Sequence, residues 1–278
     1  MEQMTGTAPE HICTLLLQDC TGFVEMVNSR GIYLQTGCRH VLLCHSQYGT
    51  VPNGVSLTQW ERLPAILASG QPIRVEEGVL YAPAVTLALQ LHSVPKNTKI
   101  LFPEKKSLGA GIEQLLANVK NTGLSMLAHP LLAGQAVAGN LYCDTALPHV
   151  KTLLLALQEG NTADIQRSVC SLLGLGPGLT PSGDDLLSGL VYGLRHGPAR
   201  NTAACGALCD AIRENAPERT NAVSADYLIA LVNDAPFDLM AAAWEDPAGG
   251  AARLMHLGHN SGGEMLLGLM CAGMLQAR

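Results

Sequence analysis

The chain has 278 residues, a formal net charge of −6, and 47% hydrophobic against 14% charged residues. Without a run of Lys and Arg to contact phosphates, this balance argues against nucleic acid as a partner. No apolar stretch reaches the roughly 18 residues that a membrane span needs, and residues 1–10 lack the features of a signal peptide. The nine cysteines are scattered without a Cys-x-x-Cys pair. This pattern is typical of a reduced, cytoplasmic protein, and the apolar content favours extensive subunit contact, including a homo-oligomer.

Short β-type runs separated by Gly, Pro and Asn occupy the first hundred residues. They predict strands at residues 12–17, 31–35, 41–45, 73–75, 79–81, 85–91 and 98–102, with a hairpin turn at 76–78. Residues 48–54 form a loop that is either a turn alone or a segment that reaches a binding site. Four residues nearby have metal-ligand chemistry: Cys38, His40, Cys44 and His45. Because they alternate within an apolar run, strand positions are favoured over a metal site.

The remainder of the chain has helical patterns bounded by caps and breakers. Helices are predicted at residues 108–119, 149–158, 162–173, 184–195, 203–215, 221–232, 236–244, 248–257 and 262–276. The fold class is therefore α+β. We expect a β-rich, barrel- or sandwich-like domain at residues 1–105 and an all-helical domain at residues 106–278.

A glycine-rich loop at residues 174–185 is the most informative segment. It contains four glycines, two prolines, two hydroxyls and two adjacent carboxylates, and an apolar helical pattern follows it. The helix can start in two registers: with Thr180 as the N-cap and Pro181 at the first position, or with Ser182 as the N-cap and Asp185 completing a capping box. A well-capped helix explains one acid and one hydroxyl. The glycines and the second acid, Asp184, favour a ligand site.

The composition of this loop restricts the ligand. No Lys or Arg lies between residues 169 and 194, so a bare phosphate would meet two carboxylates without a cation. The site needs a divalent cation such as Mg²⁺, or a ligand that has both an anionic end and N–H donors. A small amide, carbamoyl or ureido compound has this character. Backbone N–H groups would hold its carboxylate or carbonyl, and Asp184 or Asp185 would accept from its NH₂ group.

The same pattern returns seventy-nine residues later, where residues 261–269 align with residues 182–190. Ser261 and Glu264 would form a second capping box. Small residues at Gly189 and Gly268 predict that the two helices pack together there, which would bring their N-termini to one side.

A third polar cluster spans residues 219–228. Its helical face of Thr220, Ser224 and Tyr227 could bind a ligand, bond to the helix backbone or face solvent. Arg219 is the cation nearest to the site in sequence.

These residues resemble a bacterial family that was long known only as a domain of unknown function and that includes the AllH-type subunit of oxamate carbamoyltransferase. The hallmark Gly-x-Gly-Pro-Gly-Leu-Thr-Pro-Ser-Gly/His-Asp-Asp is matched by residues 174–185, Gly-His-x-Ser-Gly by 258–262, and a Thr-x-x-Ser-x-x-Tyr-Leu type helix by 220–228. The resemblance implies a subunit of a three-component enzyme in allantoin and purine catabolism. That enzyme transfers a carbamoyl group between oxalurate and phosphate, and the subunit would act with two companion subunits.

Under this hypothesis, the acids orient the amide or act as a base, and a histidine moves a proton. The expected catalytic residues are Asp184, Asp185 and His259. The expected substrate-binding residues are Gly176, Gly178, Thr180, Ser182, Gly183, Arg219, Ser224, Asn260, Ser261, Gly262 and Glu264. Two alternatives remain open: a Mg²⁺-dependent enzyme that acts on a phosphorylated or glycosyl substrate, and a non-catalytic scaffold subunit.

Overall fold

The computed structural model describes residues 1–28, 30–37, 39–96, 103, 105–119, 123–136 and 140–276. The chain forms two compact units, one of Met1–Asn97 with Ala235–Asp238 and one of Thr98–Asp234 with Leu239–Arg278. The described strands lie in the first unit and the second is helical, which confirms the predicted α+β class. The strand predicted at residues 98–102 lies outside the described residues. The domain division after residue 105 stays a prediction.

The first unit is a closed eight-stranded barrel. Its strands are β1 (Glu2–Pro9), β2 (Cys20–Val27), β3 (Gly31–Thr36), β4 (Arg39–His45), β5 (Gly54–Leu57), β6 (Pro72–Glu76), β7 (Val79–Ala82) and β8 (Val85–Val94). They close in the order β1-β5-β4-β3-β2-β6-β7-β8. The pairs β1–β8 and β4–β5 are parallel and the other pairs are antiparallel. Each of the eight described strands therefore has a neighbouring strand on both sides.

Alternate residues of the strands fill the barrel core. Ile32 and Leu34 of β3 and Val41 and Leu43 of β4 are each at most 1% exposed. This two-residue period is the signal that predicted those strands.

The strand predicted at residues 12–17 is wrong, because this segment forms helix α1 (Glu10–Leu16). Ile12 and Leu16, four residues apart, are buried in the barrel core, whereas Leu17 is 64% exposed. The apolar run therefore has a helical period.

The sequence patterns did not predict three strands, β1, β2 and β5. β1 is rich in polar residues, β2 is interrupted by Gly22 and Glu25, and β5 has only four residues and begins at the end of the loop at residues 48–54. Their pairing is decided by barrel closure, which a local pattern does not reveal.

The hairpin turn at residues 76–78 is confirmed. Glu77 and Gly78 both have positive φ, 47° and 81°, between the paired strands β6 and β7. Two consecutive positive φ angles are the geometry of a type I′ turn, which suits the twist of the strands.

The loop at residues 48–54 is held within the barrel unit. Thr50 N donates to Asp238 Oδ2 at 2.8 Å, and Asp238 N donates to the Thr50 carbonyl at 3.0 Å. Gly49 has a φ of +65°, and a Cβ there would lie 2.5 Å from Asp238 Oδ2. The loop is therefore fixed by residues that follow it by almost two hundred positions.

The predicted strand positions of His40, Cys44 and His45 are confirmed, since all three lie on β4; Cys38 lies outside the described residues. His40 faces Glu25 at 3.5 Å, and His45 Nδ1 accepts from Gln47 N at 2.8 Å. In the part of the chain that the structure describes, no group of three or more His, Cys, Asp or Glu residues is placed to hold a metal ion.

The remaining helices are α2 (Leu63–Ile66) in the barrel unit, α3 (Lys105–Ala117), α4 (Leu141–Glu159), α5 (Thr162–Leu172), α6 (Ser182–Arg195), α7 (Ala203–Arg219), α8 (Ala222–Val232), α9 (Asp238–Glu245), α10 (Pro247–Met255) and α11 (Ser261–Gln276). Short 3₁₀ turns lie at Ser46–Tyr48, Leu124–Leu127 and Pro198–Asn201, and a π turn at His129–Ala133. The helix predicted at residues 149–158 starts earlier, where Asn140 caps α4 by accepting from Cys143 N at 2.9 Å. Among the described residues, no helix has the length and apolarity needed to cross a membrane.

Candidate functional site

Helices α6 and α11 pack with their backbones in contact. A Cβ at Gly189 would lie 1.9 Å from the Met265 carbonyl oxygen, and one at Gly268 would lie 2.1 Å from the Leu186 carbonyl oxygen. Because any larger side chain would separate the helices, both positions require glycine. The predicted packing near these two glycines is confirmed.

The contact is symmetric in sequence as well as in space. Gly189 aligns with Gly268 and Leu186 aligns with Met265 in the two matching segments. The contact of Gly189 with Met265 and the contact of Gly268 with Leu186 are therefore equivalent. This equivalence relates α6 and α11 by an approximate two-fold axis.

The symmetry extends to the helices that precede them. Gly183 N donates to the Leu175 carbonyl and Gly262 N to the Leu257 carbonyl, both at 2.9 Å. A Cβ at Gly183 would lie 2.0 Å from the carbonyl oxygen of Leu172, the last residue of α5, and one at Gly262 would lie 1.8 Å from that of Leu254 in α10. The segments α5–α6 and α10–α11 are thus two copies of one helix-loop-helix arrangement.

The two loops differ in length but end alike. Gly176 lies against Ser182 and Gly258 against Ser261, and a Cβ at either glycine would come within 3.0 Å of the serine hydroxyl. Five residues separate Gly176 from Ser182, whereas two separate Gly258 from Ser261. The three additional residues in the first loop bring Thr180 to the second copy, where its hydroxyl lies 3.1 Å from the Ser261 hydroxyl.

Both predicted capping registers for α6 are wrong. Pro181 occupies the N-cap position, and its carbonyl accepts from Asp184 N at 2.9 Å and from Asp185 N at 3.0 Å. At the second helix, the Asn260 carbonyl likewise accepts from Glu264 N at 3.1 Å. These backbone contacts satisfy the first turns, so the acidic side chains are not needed as caps and face other groups.

Asp184 is 1% exposed and is surrounded by donors. Gly174 N donates to Oδ1 at 2.8 Å, Ser224 Oγ donates to Oδ2 at 2.7 Å, and the Thr220 hydroxyl also donates to Oδ2. Burial raises the pKa of this carboxyl, and the three hydrogen bonds oppose that rise. The Thr220 and Ser224 hydroxyls of the third polar cluster therefore donate to a carboxylate of the protein. The sequence had predicted that they bind a ligand, bond to the helix backbone or face solvent. Asp184 fixes the glycine loop to the start of α8.

Asp185 and Glu264 occupy matching positions of the two copies and are each 1% exposed. The Ser261 and Thr180 hydroxyls face Asp185, and the Ser182 hydroxyl faces Glu264. Each acid thus faces the serine that starts the opposite helix. The predicted capping boxes, Ser182 with Asp185 and Ser261 with Glu264, are therefore wrong.

The surroundings of the two acids favour protonation. Burial, and then the charge of Glu264, raise the pKa of Asp185 well above its ordinary value. Burial also raises the pKa of Glu264, although Leu124 N donates to its Oε1 at 2.7 Å. Asp185 Oδ2 is buried and has no hydrogen-bond partner among the described residues. The site therefore encloses two carboxyl groups, and Asp185 Oδ2 is available to a ligand.

The turn at Gly123 and Leu124 completes this site and was missed in the sequence. Gly123 has a φ of +73°, and a Cβ there would lie 2.2 Å from Glu264 Oε1 and 2.8 Å from Asn260 Nδ2. The only sequence signal was a glycine before a short apolar run.

The remaining predicted residues lie in the loops before α6 and α11 or outside the site. His259 is exposed in the turn before α11. Arg219 is exposed at the end of α7, where Nη1 donates to the Cys170 carbonyl at 3.3 Å, so its cation is tied to α5. Gly176 and Gly178 have φ angles of +110° and +105°. Within the described residues, the N–H groups of these two glycines donate to no protein atom.

These features define a protein whose helical unit carries a duplicated glycine-loop site around a buried carboxyl pair. Residues 172–273 match the family model described as oxamate carbamoyltransferase subunit AllH. The match contains both loops and the helices that start from them, so the resemblance found in the motifs is confirmed for this part of the chain. No curated protein and no solved structure matches the chain.

Proposed function

We propose that this chain is a cytoplasmic subunit of an oxamate carbamoyltransferase and binds the ureido acid oxalurate at the duplicated glycine loops. The reaction transfers the carbamoyl group of oxalurate to phosphate and yields oxamate and carbamoyl phosphate. Two companion subunits complete the enzyme. The observation that carries the proposal is that, in the region that matches the AllH family model, the N–H groups of Gly176 and Gly178 and one carboxyl oxygen of Asp185 have no hydrogen-bond partner among the described residues.

The anionic end of the substrate is assigned to the glycine loop. In the part of the chain that the structure describes, the N–H groups of Gly176 and Gly178 donate to no protein atom, and both glycines have the positive φ angles of anion-binding turns. Such N–H groups bind carboxylate oxygens without a nearby Lys or Arg. This explains how the loop can hold an anion although residues 170–193 contain no basic side chain.

The amide end is assigned to the carboxyl pair. Asp185 supplies an acceptor for an amide N–H, and Ser261 and Thr180 lie beside it at the loop. His259 is exposed next to Ser261 and moves a proton at the mouth of the site. Asp184 is a positioning residue in this proposal, because three protein donors already occupy its oxygens.

Carbamoyl phosphate formation tests the proposal. The purified chain is combined with its two companion subunits, and the rate is compared with that of an Asp185→Asn, His259→Ala double variant. We expect a loss on the order of 100-fold or more, as for removal of general acid–base groups. Asp210→Asn is the matched control, since it neutralises an acid of the same unit whose side chain is 65% exposed. Full activity of the double variant would instead assign this chain a scaffold role.

A separate binding measurement addresses the Mg²⁺ alternative. Glu264 Oε1 accepts from Leu124 N, and the Asp184 oxygens accept from three donors, so these atoms are engaged by the protein. Calorimetry with Mg²⁺ and Mn²⁺ should show no binding that depends on Asp185. Binding lost in Asp185→Asn would favour the metal-dependent enzyme.

A further inference from the structure

The duplicated arrangement brings two carboxyl groups from opposite helices to one buried position. Asp185 and Glu264 are related by the approximate two-fold axis between α6 and α11, and each faces the first serine of the other helix. The same symmetry that creates the helix contact at the glycines therefore creates the carboxyl pair. One member, Asp185, has a buried oxygen, Oδ2, with no hydrogen-bond partner among the described residues.

No positive charge compensates this pair among the described residues that influence it. Asp185 meets Glu264 on α11 and Asp184 on its own helix, and Glu264 also lies near the Cys143 thiol on α4. Two ionised carboxylates that are buried together without a neighbouring positive charge would repel each other strongly, so such pairs retain a proton. The second copy carries Gly263 where the first has Asp184. The pair is therefore unequal, with a third acid on one side only.

A chain of hydroxyls leads from the pair to the loop surface. The Ser261 hydroxyl faces Asp185, and Thr180 Oγ1 lies 3.1 Å from Ser261 Oγ. Thr180 and Ser261 are partly exposed, whereas the acids are buried. Thr180 belongs to the longer first loop, which also contains Gly176 and Gly178. The additional residues of that loop thus supply the outer end of the chain.

We propose that Asp185 and Glu264 hold one shared proton and exchange it with the bound substrate through the hydroxyls of Ser261 and Thr180. This inference rests on the proposed function for its substrate. A phosphate oxygen forms a bond to the carbamoyl carbon, and the bond from that carbon to the oxamate nitrogen breaks. The nitrogen takes the proton of the pair, and the hydrogen phosphate returns its proton to the pair. The reaction consumes no net proton, so the one proton held by Asp185 and Glu264 is enough for each turnover.

The shared proton also lowers the repulsion of phosphate. With one proton, the pair carries one negative charge in place of two, and the hydroxyl chain can deliver that proton to the leaving nitrogen. This accounts for a carboxyl pair in an enzyme that handles phosphate without a cation in the loop.

Carbon-13 NMR of the labelled side-chain carboxyls in the full chain tests the pair without any assay of activity. We expect one carboxyl of the pair to remain protonated at neutral pH. In Glu264→Gln, the titration of Asp185 should move to lower pH, because the neighbouring charge is gone. Asp210→Asn should leave it in place. Ordinary titration of both carboxyls, or an Asp185 titration that ignores Glu264→Gln, would overturn the proposal. Thr180→Val is a second variant for the same titration, because it leaves both acids intact. It should also show one retained proton.

The relay is tested in the complete enzyme. Thr180→Val should lower kcat on the order of 100-fold with little change in KM, and Thr180→Ser, which keeps the hydroxyl, should restore it. Equal rates for the valine and serine variants would refute the relay. If wild-type enzyme forms no carbamoyl phosphate, the proposed function fails, and the NMR titration still decides whether the pair holds a proton.

Discussion

The contact between α6 and α11 makes a quantitative prediction for Gly189→Ala. The new Cβ would start 1.9 Å from the Met265 carbonyl oxygen, so the helices must separate by about 1.5 Å to reach van der Waals distance. Overpacking typically costs about 1–3 kcal/mol, and a backbone neighbour cannot turn aside as a side chain can. We therefore expect a loss of about 3 kcal/mol in the free energy of unfolding. For a unit of this size, that corresponds to a drop of roughly 6–12 °C in Tm.

Gly206→Ala is the matched control within the same helical unit. Gly206 lies in α7, and a Cβ there meets no atom within 4 Å. Alanine in an exposed helix should stabilise by about 0.5–1 kcal/mol, since glycine loses more backbone entropy on folding. Urea unfolding followed by circular dichroism measures both variants. If Gly189→Ala stabilises the chain as Gly206→Ala does, the close packing of the two helices and the symmetry built on it are wrong.

Three further predictions concern the buried acids and one ion cluster. Because the pKa of Asp185 is raised on folding, the folded chain binds more protons than the unfolded chain. Stability is then greatest below the carboxyl's unfolded pKa and falls as pH rises towards the folded value; Asp185→Asn should flatten this loss in urea titrations at a series of pH values. Asp184→Ala leaves three donors without an acceptor and should cost about 3 kcal/mol in the same assay; a neutral effect would contradict its positioning role. Asp234 has a φ of +65° and faces Arg195 at 2.9 Å and Arg200 at 2.8 Å. Asp234→Asn keeps that backbone geometry but removes the charge, so a loss of about 2 kcal/mol is expected, reduced for partial exposure, and thermal unfolding in low and high salt checks it.

The sequence motifs located the site better than they paired its residues. The loops, their acids and the helix contact were all visible because glycine, hydroxyl and carboxylate recur in fixed order. The capping interpretation failed, because a serine three residues before an acid is a local pattern. In the folded chain, Asp185 faces Ser261 and Glu264 faces Ser182, which only packing of α6 on α11 could establish.

The barrel, too, has some features that follow from local sequence and others that depend on tertiary structure. The alternating burial of β3 and β4 follows from their sequences, since period-two hydrophobicity reports one buried face. The strand β1 does not follow from its sequence, because its pairing with β8 joins residues as far apart as Glu2 and Leu87. Composition and local period thus determined the α+β class and the position of the glycine loops. The tertiary structure alone decided barrel closure, the symmetry of the two loops and the meeting of two acids, because each depends on contacts between residues far apart in sequence.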